Sequence, residues 1–374
     1  MKKLLLVSTG DPTDKRTWSG TEYSIYQQLM KYYEVDVLSI NLKWIKRFER
    51  LRMRILTFGR QDTVFGFLNS YLSSKKVERK LSAGIYDVAF VFGCTNIAYI
   101  KTDTPIAYFT DATTHLMQNY YWHYCRILER EADIIQHRCL KNSSVNLAAS
   151  TWALDDMVNY FGISGEKCVL CRLGANVNVE NLQSIKEESV INILFVGADW
   201  GRKGGETAIE TIKRLKMMDV SRRYVLHIVG GMPRNGISTE DIIFYGFLDR
   251  KNAEQDALRT KLFQKSDIFL LPTKAECAGI VFCEASAYGI PIVTYDTGGI
   301  GDYVVNGFNG YRLPARSSSK EFAETILDIV NNPSLKEHLM ENGKKLYAES
   351  LNWDACGEII HRVISQIVED AIGC

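Results

Sequence analysis

Long apolar stretches are missing from the 374-residue sequence, since none approaches the ~20 residues that a membrane-spanning helix needs. The first apolar run after the two opening lysines covers only Leu4 to Val7, which is too short for the core of a signal peptide. We therefore expect a cytoplasmic protein whose first strand begins near Lys3.

A charge excess of one sign is also missing, because 45 Lys and Arg residues stand against 44 Asp and Glu residues. The net charge of +1 gives no overall field that would attract nucleic acid, so no nucleic-acid partner is expected. Nine cysteines are an odd number in a chain without a secretory signal, which favours reduced thiols. Cys168 and Cys171 have CxxC spacing, but no second pair and no nearby histidine complete a zinc site.

Short β-rich apolar runs alternate with helical patterns along most of the chain, which is typical of parallel sheets covered by helices. In the first half the predicted strands are Lys3 to Ser8, Val35 to Ser39, Asp87 to Phe92, Pro105 to Phe109 and Val145 to Ala149. In the second half they are Val190 to Val196, Tyr224 to Val229, Ile242 to Tyr245, Asp267 to Pro272 and Ile290 to Tyr295.

A polar stretch from Glu180 to Ser189 interrupts this alternation and separates two series of strands. We predict an α/β protein with two Rossmann-like domains, over residues 1–180 and 190–350, and a cleft between them. An apolar stripe in residues 351–374 predicts a terminal helix that packs back toward the first domain.

Two glutamates eight positions apart, Glu276 and Glu284, follow the predicted strand DIFLLPT. If a helix begins near Gly279, Glu276 lies in the loop before it and Glu284 lies about one turn inside. The N–H groups at the helix start then lie between two carboxylates, which suits an anionic group held beside a polyhydroxyl one. A helix with an acidic first turn and no ligand is the alternative.

Three further motifs follow in order, namely GIPIV from Gly289, TGGIGD from Thr297 and VVNGFNGY from Val304. Together with the glutamate pair they resemble the nucleotide-sugar half of the retaining glycosyltransferases of family 4, also called glycosyltransferase group 1. The first half of the chain matches more loosely, through Trp18 to Thr21 (WSGT) and Pro105 to Thr113 (PIAYFTDAT).

The resemblance implies the GT-B fold, with the acceptor on the N-terminal domain and the nucleotide sugar on the C-terminal domain. It implies retaining transfer from a UDP- or GDP-sugar to a saccharide or a lipid-linked saccharide, in bacterial surface polysaccharide synthesis. No cofactor beyond the donor is expected. Because no convincing D-x-D motif is present, we also expect independence from metal ions.

The resemblance assigns roles to the residues around the glutamate pair. Glu276 is expected to handle the donor sugar and Glu284 to bind the ribose hydroxyls. The backbone of Gly279, Ile280 and Val281 is expected to cradle the sugar or the phosphate.

A glycine-bearing loop opens the second half of the chain at Gly197 and contains Arg202 and Lys203. The resemblance implies that these two cations grip the diphosphate, whereas a solvated turn is the alternative. Many family members carry arginine directly after the strand glycine, where this sequence has Ala198.

In the first half, Gly20 is expected to let its loop approach the diphosphate closely, with a surface turn as the alternative. Asp111 and His115 follow a predicted strand, and either side chain is expected to contact a sugar hydroxyl or the acceptor. For Asp111, capping of a helix N-terminus is the competing interpretation.

Two other classes of function are compatible with these motifs. One is a different enzyme on the same fold, a sugar-nucleotide epimerase or a phosphorylase. The other is a scaffold that binds a sugar nucleotide without catalysis.

The segment from Lys43 to Arg60 contains seven basic residues and the single acid Glu49, a net charge of 7 − 1 = +6. Interleaved aromatic and aliphatic residues predict a basic amphipathic helix, of the type that lies on anionic membrane surfaces. A solvated basic helix or a groove for an anionic acceptor are the alternatives.

Overall fold

The computed structural model describes residues 1–57, 65–177, 190–233 and 238–373. It divides into two compact units, of which the first comprises Met1–Arg172 with the chain from Trp353 onward, and the second Leu173–Asn352. The division of the chain therefore falls at Leu173. The predicted boundary at 180–189 lies outside the described residues.

The first unit contains one sheet of six parallel strands in the order β2-β1-β3-β4-β5-β6. The strands are β1 (Lys3–Ser8), β2 (Glu34–Ser39), β3 (Val88–Phe92), β4 (Ile106–Thr110), β5 (Val145–Ala148) and β6 (Cys168–Leu170). The helices are α1 (Thr21–Tyr32), α2 (Lys43–Leu56), α3 (Phe67–Ala83), α4 (Thr114–Met117), α5 (Arg126–Asn142) and α6 (Thr151–Asn159). Strands β3, β4 and β5 are buried at every residue, as expected for a parallel sheet covered on both faces.

The second unit contains a parallel sheet in the order β12-β11-β10-β7-β8-β9. Its strands are β7 (Val190–Gly197), β8 (Arg223–Gly230), β9 (Ile242–Gly246), β10 (Ile268–Leu271), β11 (Ile292–Tyr295) and β12 (Gly310–Leu313). Its helices are α7 (Gly205–Met218), α8 (Ala253–Lys265), α9 (Ile280–Ala287), α10 (Ser319–Asn331) and α11 (Pro333–Glu349). The strand order reverses beside β7, and in open parallel sheets ligands bind at the carboxyl ends of the strands at such a reversal.

The last helix, α12 (Trp353–Ile372), packs on α1 in the first unit. The ring of His361 stacks on Tyr32 with 4.1 Å between ring centroids, and its Nδ1 lies 2.8 Å from the Tyr33 hydroxyl. Gly357 allows the close approach, since a Cβ there would lie 2.5 Å from the Gln28 side-chain oxygen.

The predicted fold class is confirmed, since the structure has two α/β units with parallel sheets and a long terminal helix. Each of the ten predicted strands is present, with ends that differ by at most two residues. The sequence analysis missed β6 and β12, of three and four residues, which are too short to show a period. Among the described residues, no helix has both the length and the apolar character needed to cross a membrane.

We expect Gly204→Ala to destabilise the second unit strongly. Gly204 has φ +76°, and a Cβ there would lie 2.0 Å from the Pro272 carbonyl oxygen. The matched control is Gly307→Ala, because Gly307 has φ +71° but nothing within 4 Å of an added Cβ. The control should lower the free energy of unfolding by about 1–2 kcal/mol, which is the effect of a left-handed non-glycine residue alone. Urea unfolding monitored by circular dichroism measures both, and equal losses would contradict the steric account.

Candidate functional site

Three loops meet at the carboxyl ends of the neighbouring strands β7, β10 and β11. The Lys274 N–H, after β10, donates to the Arg202 carbonyl oxygen, after β7, at 2.8 Å. The Gly299 N–H, after β11, donates to the Glu276 carbonyl oxygen at 3.1 Å. Main-chain hydrogen bonds therefore hold the three loops together independently of their side chains.

The side chains of Lys203, Arg202 and Glu276 form one charged cluster at this edge. The Lys203 ammonium contacts the Glu276 carboxylate directly, and both side chains are largely buried, at 11% and 13% exposure. Arg202 Nη1 lies 3.8 Å from the same carboxylate oxygen and donates to the Ala275 carbonyl at 2.8 Å. Asp199 Oδ2 also lies 3.7 Å from Arg202 Nε, so two cations face two carboxylates, of which Asp199 is the more exposed, at 58%.

Gly197, the last residue of β7, creates the space for this cluster. A Cβ at Gly197 would lie 2.8 Å from Lys203 Cγ, so the glycine lets the lysine side chain lie across the strand end. Lys203 is buried, so its side chain is not a solvated one, while the Arg202 side chain is 26% exposed.

Helix α9 begins at Ile280, directly after the left-handed Gly279 at φ +106°, so the helix starts where the glutamate spacing predicts. A Cβ at Gly279 would lie 2.6 Å from the Phe282 ring, which leaves glycine as the fitting residue. The N–H groups of Ile280 and Val281 lie in the first turn, where a helix supplies no acceptor and carries a partial positive charge.

Glu284 is almost fully buried inside α9 and is held by two arginines that the sequence analysis missed. Its carboxylate contacts the Arg259 guanidinium directly, and Arg250 Nη1 lies 3.7 Å from its other oxygen. A carboxylate has about four acceptor positions, and the two arginines do not fill all of them. Arg250 lies four residues after the end of β9 and was open to prediction, whereas Arg259 is brought in by tertiary packing of α8.

In the first unit, Gly20 is the buried last residue of a left-handed loop after β1. Three consecutive residues have positive φ, namely Trp18 at 46°, Ser19 at 56° and Gly20 at 88°. Such conformations cost energy and concentrate at functional sites. Gly20 itself is buried, whereas Ser19 beside it is exposed, and the approach of this loop to a diphosphate stays a prediction.

The buried carboxyl of Glu22 lies in the same region, in the first turn of α1. It accepts from the Ser8 hydroxyl at 2.5 Å, and burial raises the pKa of this carboxyl. The sequence analysis did not single it out.

His115 lies in α4, close behind β4, and forms a pair with a buried carboxylate. Its Nδ1 lies 2.7 Å from the Asp156 carboxylate, and its ring stacks on Tyr160 with 3.5 Å between centroids. Burial, together with a hydrogen bond to Asp133, raises the pKa of Tyr160 to about 12. No local pattern in the sequence points to Asp156, which lies in α6.

Asp111 does not cap α4. The capping residue is Thr113, whose hydroxyl accepts from the Leu116 N–H at 3.3 Å. The competing interpretation of Asp111 is therefore wrong, because the helix begins two residues later than that interpretation needs. Contact of Asp111 or His115 with a sugar stays a prediction.

Among the described residues, no group of three or more His, Cys, Asp or Glu side chains is placed to hold a metal ion. The eight cysteines in the described part of the chain are free thiols. Cys171 Sγ lies 3.5 Å from Cys356 Sγ in α12, not in a zinc-like group with Cys168.

Residues 180–346 match the model of the family "Glycosyl transferases group 1". An uncharacterised glycosyltransferase of Methanocaldococcus jannaschii is 28% identical over 178 residues, which are 46% of this chain and 48% of that protein. The capsular polysaccharide biosynthesis glycosyltransferase CapM of Staphylococcus aureus is 28% identical over 111 residues, 30% of this chain and 29% of that protein. The chain thus spans about half the length, or less, of these curated relatives.

The fold is shared over nearly the whole chain with solved structures. HepE of Anabaena, solved in complex with UDP and glucose, superposes with a TM-score of 0.65. It is 14% identical, and the likeness covers 98% of this chain and 100% of that one.

The two parallel sheets define an α/β protein built from two Rossmann-like units. At the carboxyl edge of the second sheet lie the charged cluster and the N-terminus of α9. Within that class, residues 180–346 carry the domain of the glycosyl transferases group 1 family. The resemblance drawn from the sequence motifs is confirmed for the family and the fold.

We expect Lys203→Ala to weaken the binding of UDP or GDP by roughly 10- to 100-fold. A charge-assisted hydrogen bond contributes about 1.5–3 kcal/mol, and the variant removes the most buried cation of the cluster. The matched control is Lys213→Ala, which opens the exposed ion pair of Lys213 with Glu210 on α7. Isothermal titration measures the affinities, and near wild-type binding by Lys203→Ala would exclude this cluster as the diphosphate site.

Proposed function

We propose that the protein transfers a sugar from a UDP- or GDP-sugar to a saccharide or lipid-linked saccharide, with retention of anomeric configuration and without a metal ion. The observation that carries this proposal is the cluster of Arg202, Lys203 and Glu276 beside the N-terminus of α9. It combines two fixed cations for a diphosphate with a carboxylate for hydroxyl groups.

In the proposed reaction, the acceptor hydroxyl oxygen forms a bond to the anomeric carbon while the bond from that carbon to the diphosphate oxygen breaks. The hydroxyl proton passes to the leaving phosphate on the same face of the sugar. Negative charge grows on the diphosphate, and Arg202, Lys203 and the first turn of α9 are placed to offset it. In this scheme Glu276 accepts from donor-sugar hydroxyls and Glu284 from the ribose.

The relatives support the proposal at different levels. The family domain supports glycosyl transfer, and the complex of HepE with UDP and glucose supports a uridine nucleotide as one donor type. The similarity to a capsular polysaccharide enzyme supports a role in bacterial surface polysaccharide synthesis.

Incubation of the protein with UDP-, GDP-, ADP- and dTDP-sugars and a panel of saccharides tests the proposal. We expect release of UDP or GDP that depends on a saccharide, with a product whose anomeric configuration, read by NMR, equals that of the donor. Activity should persist in excess EDTA, because fixed cations supply the charge that Mg²⁺ gives in other enzymes. Glu276→Ala should lose most of the activity.

The competing functions give different outcomes. A free altered sugar nucleotide would indicate an epimerase, and phosphate-dependent cleavage of a glucan would indicate a phosphorylase. Nucleotide binding without any turnover would indicate a scaffold. Loss of activity in EDTA that Mg²⁺ or Mn²⁺ restores would contradict metal independence.

We also propose that the protein acts at an anionic membrane surface, through helix α2. Four large apolar side chains lie on its outer face: Trp44, Phe48, Leu51 and Ile55, with exposures of 68%, 53%, 58% and 68%. Their spacing of four, three and four residues places them on one stripe of the helix. Lys43, Arg47, Arg50 and Arg54 are exposed on the same helix. Phe58 and Arg60, which were part of the predicted segment, lie outside the described residues.

The inner face of α2 explains why the apolar stripe faces outward. Glu49 is buried and accepts from the Leu68 and Asn69 N–H groups at the start of α3, at 2.8 and 3.3 Å. Arg52 Nε donates to the Glu49 carboxylate at 2.6 Å, and Arg52 Nη2 donates to the buried Glu131 carboxylate of α5 at 2.5 Å. This buried polar cluster fixes the rotation of the helix, because turning the stripe inward would expose it and leave the start of α3 uncapped.

A solvated basic helix would present charge outward without an apolar stripe, so the structure favours membrane contact over that alternative. Aromatic and aliphatic side chains flanked by Lys and Arg suit the headgroup level of a bilayer. Each Lys or Arg near an anionic surface contributes about 1 kcal/mol. An acceptor linked to a lipid would be presented at such a surface.

We expect the protein to co-sediment with vesicles that contain anionic lipid and not with neutral ones, with release at high salt. Arg47→Glu with Arg50→Glu should abolish sedimentation. Lys344→Glu with Lys345→Glu, the same charge change on exposed residues of α11, should leave sedimentation largely intact. Equal sedimentation of both double variants, or indifference to lipid charge, would remove α2 from the account.

A further inference from the structure

The segment between α4 and α5 has an unusual density of aromatic residues outside the core. Residues 117–124 read MQNYYWHY, and Tyr120, Tyr121, Trp122 and Tyr124 are all half-buried. By contrast, the aromatic residues of the preceding strand β4, Tyr108 and Phe109, are fully buried. We call residues 117–124 the aromatic turn.

Main-chain and side-chain hydrogen bonds hold the aromatic turn in one conformation. The Asn119 N–H donates to the Trp122 carbonyl at 2.6 Å, and the Tyr121 N–H donates to the Met117 carbonyl at 2.9 Å. The Gln118 side chain donates to the Tyr124 carbonyl at 2.8 Å and accepts from the Tyr124 N–H at 3.1 Å. The rings are thus presented on a rigid support, which lowers the entropy lost when a ligand binds.

Helix α6 backs the aromatic turn with residues spaced four apart. Trp152 packs against Tyr120 with 5.1 Å between ring centroids. One turn later Asp156 bonds to His115, and four residues further Tyr160 stacks on the His115 ring. Positions i, i+4 and i+8 share one face of a helix, so the rings and the His115 pair form a continuous row.

The row combines two kinds of recognition. The aromatic rings offer apolar faces, and His115 offers a polar atom whose orientation is fixed. His115 Nδ1 lies 2.7 Å from the Asp156 carboxylate, which holds the ring in one orientation and leaves Nε2 as its second polar atom. The His115 side chain is 37% exposed, which leaves it accessible to a ligand.

A pyranose ring has the matching chemistry, since one side presents C–H groups to an aromatic face while its rim presents hydroxyl groups. Ligand sites commonly combine aromatic walls with a few placed polar groups in this way. A purely apolar ligand would not use the His115 pair.

We propose that the aromatic turn, together with Trp152 and His115, is a saccharide-binding platform, and that it holds the acceptor of the transfer reaction. The second part rests on the proposed function. The first part, binding of a pyranose by the first unit, stands independently of it. Asp156 acts in this platform as a positioning residue for His115.

Saturation-transfer NMR on the full chain tests the platform with methyl α-glucopyranoside, methyl α-mannopyranoside and methyl β-galactopyranoside as probes. We expect transfer to the ring C–H protons of at least one of them. Trp152→Leu and Tyr120→Leu, which keep an apolar side chain but remove the ring, should weaken binding about fivefold or more. Trp152→Phe and Tyr120→Phe should restore it.

Two controls separate the platform from other effects. Tyr71→Leu removes an exposed ring of α3 in the same unit and should leave pyranoside binding unchanged. Lys203→Ala should weaken UDP binding without changing pyranoside binding, so a failed donor site and a failed platform give different results.

Three outcomes would overturn the proposal. One is the absence of transfer to all three pyranosides, and another is equal transfer in wild type and the two Leu variants. The third is a preference for the base protons of uridine that Trp152→Leu abolishes, which would make the platform a nucleobase site.

Discussion

The site in the second unit depends on the close approach of backbone segments at the carboxyl end of β7. A Cβ at Gly230 would lie 2.3 Å from the Gly197 carbonyl oxygen, and one at Gly231 would lie 2.4 Å from the Ala198 carbonyl oxygen. Gly204 meets the backbone after β10 in the same way. Only glycine fits at these points. The close packing of the loops after β7 and β10 places the Lys203 side chain against Glu276.

The glycines at these close contacts are visible in the sequence, and they made part of the fold and of the charged cluster predictable. Strands buried on both faces are continuous apolar runs, so their positions are encoded locally. Glycines at strand ends and the Glu276 to Glu284 spacing encode the loop and the helix start that follow. For these reasons the fold class and the members of the charged cluster were predictable without coordinates.

The partners of those residues were not predictable, since they come from distant elements. Arg259 reaches Glu284 from α8, 25 positions earlier, and Asp156 reaches His115 from α6, 41 positions later. Nothing periodic or local in the sequence links such pairs. The same holds for helix α2, whose composition indicated a basic amphipathic helix but whose exposed face is decided by tertiary contacts of Glu49 and Glu131.

Two buried glutamates show why burial beside an arginine does not by itself identify a functional residue. Glu284 and Glu49 are each almost fully buried and each contacts an arginine. Glu49 accepts from the first N–H groups of α3, which have no acceptor within the helix. Its role is therefore structural. Glu284 lies within the helix that starts after β10, at the edge where Lys203 and the first turn of α9 also lie. Under the proposed function, what separates the two carboxylates is their position relative to the carboxyl ends of the parallel strands, the edge at which ligands bind in open parallel sheets.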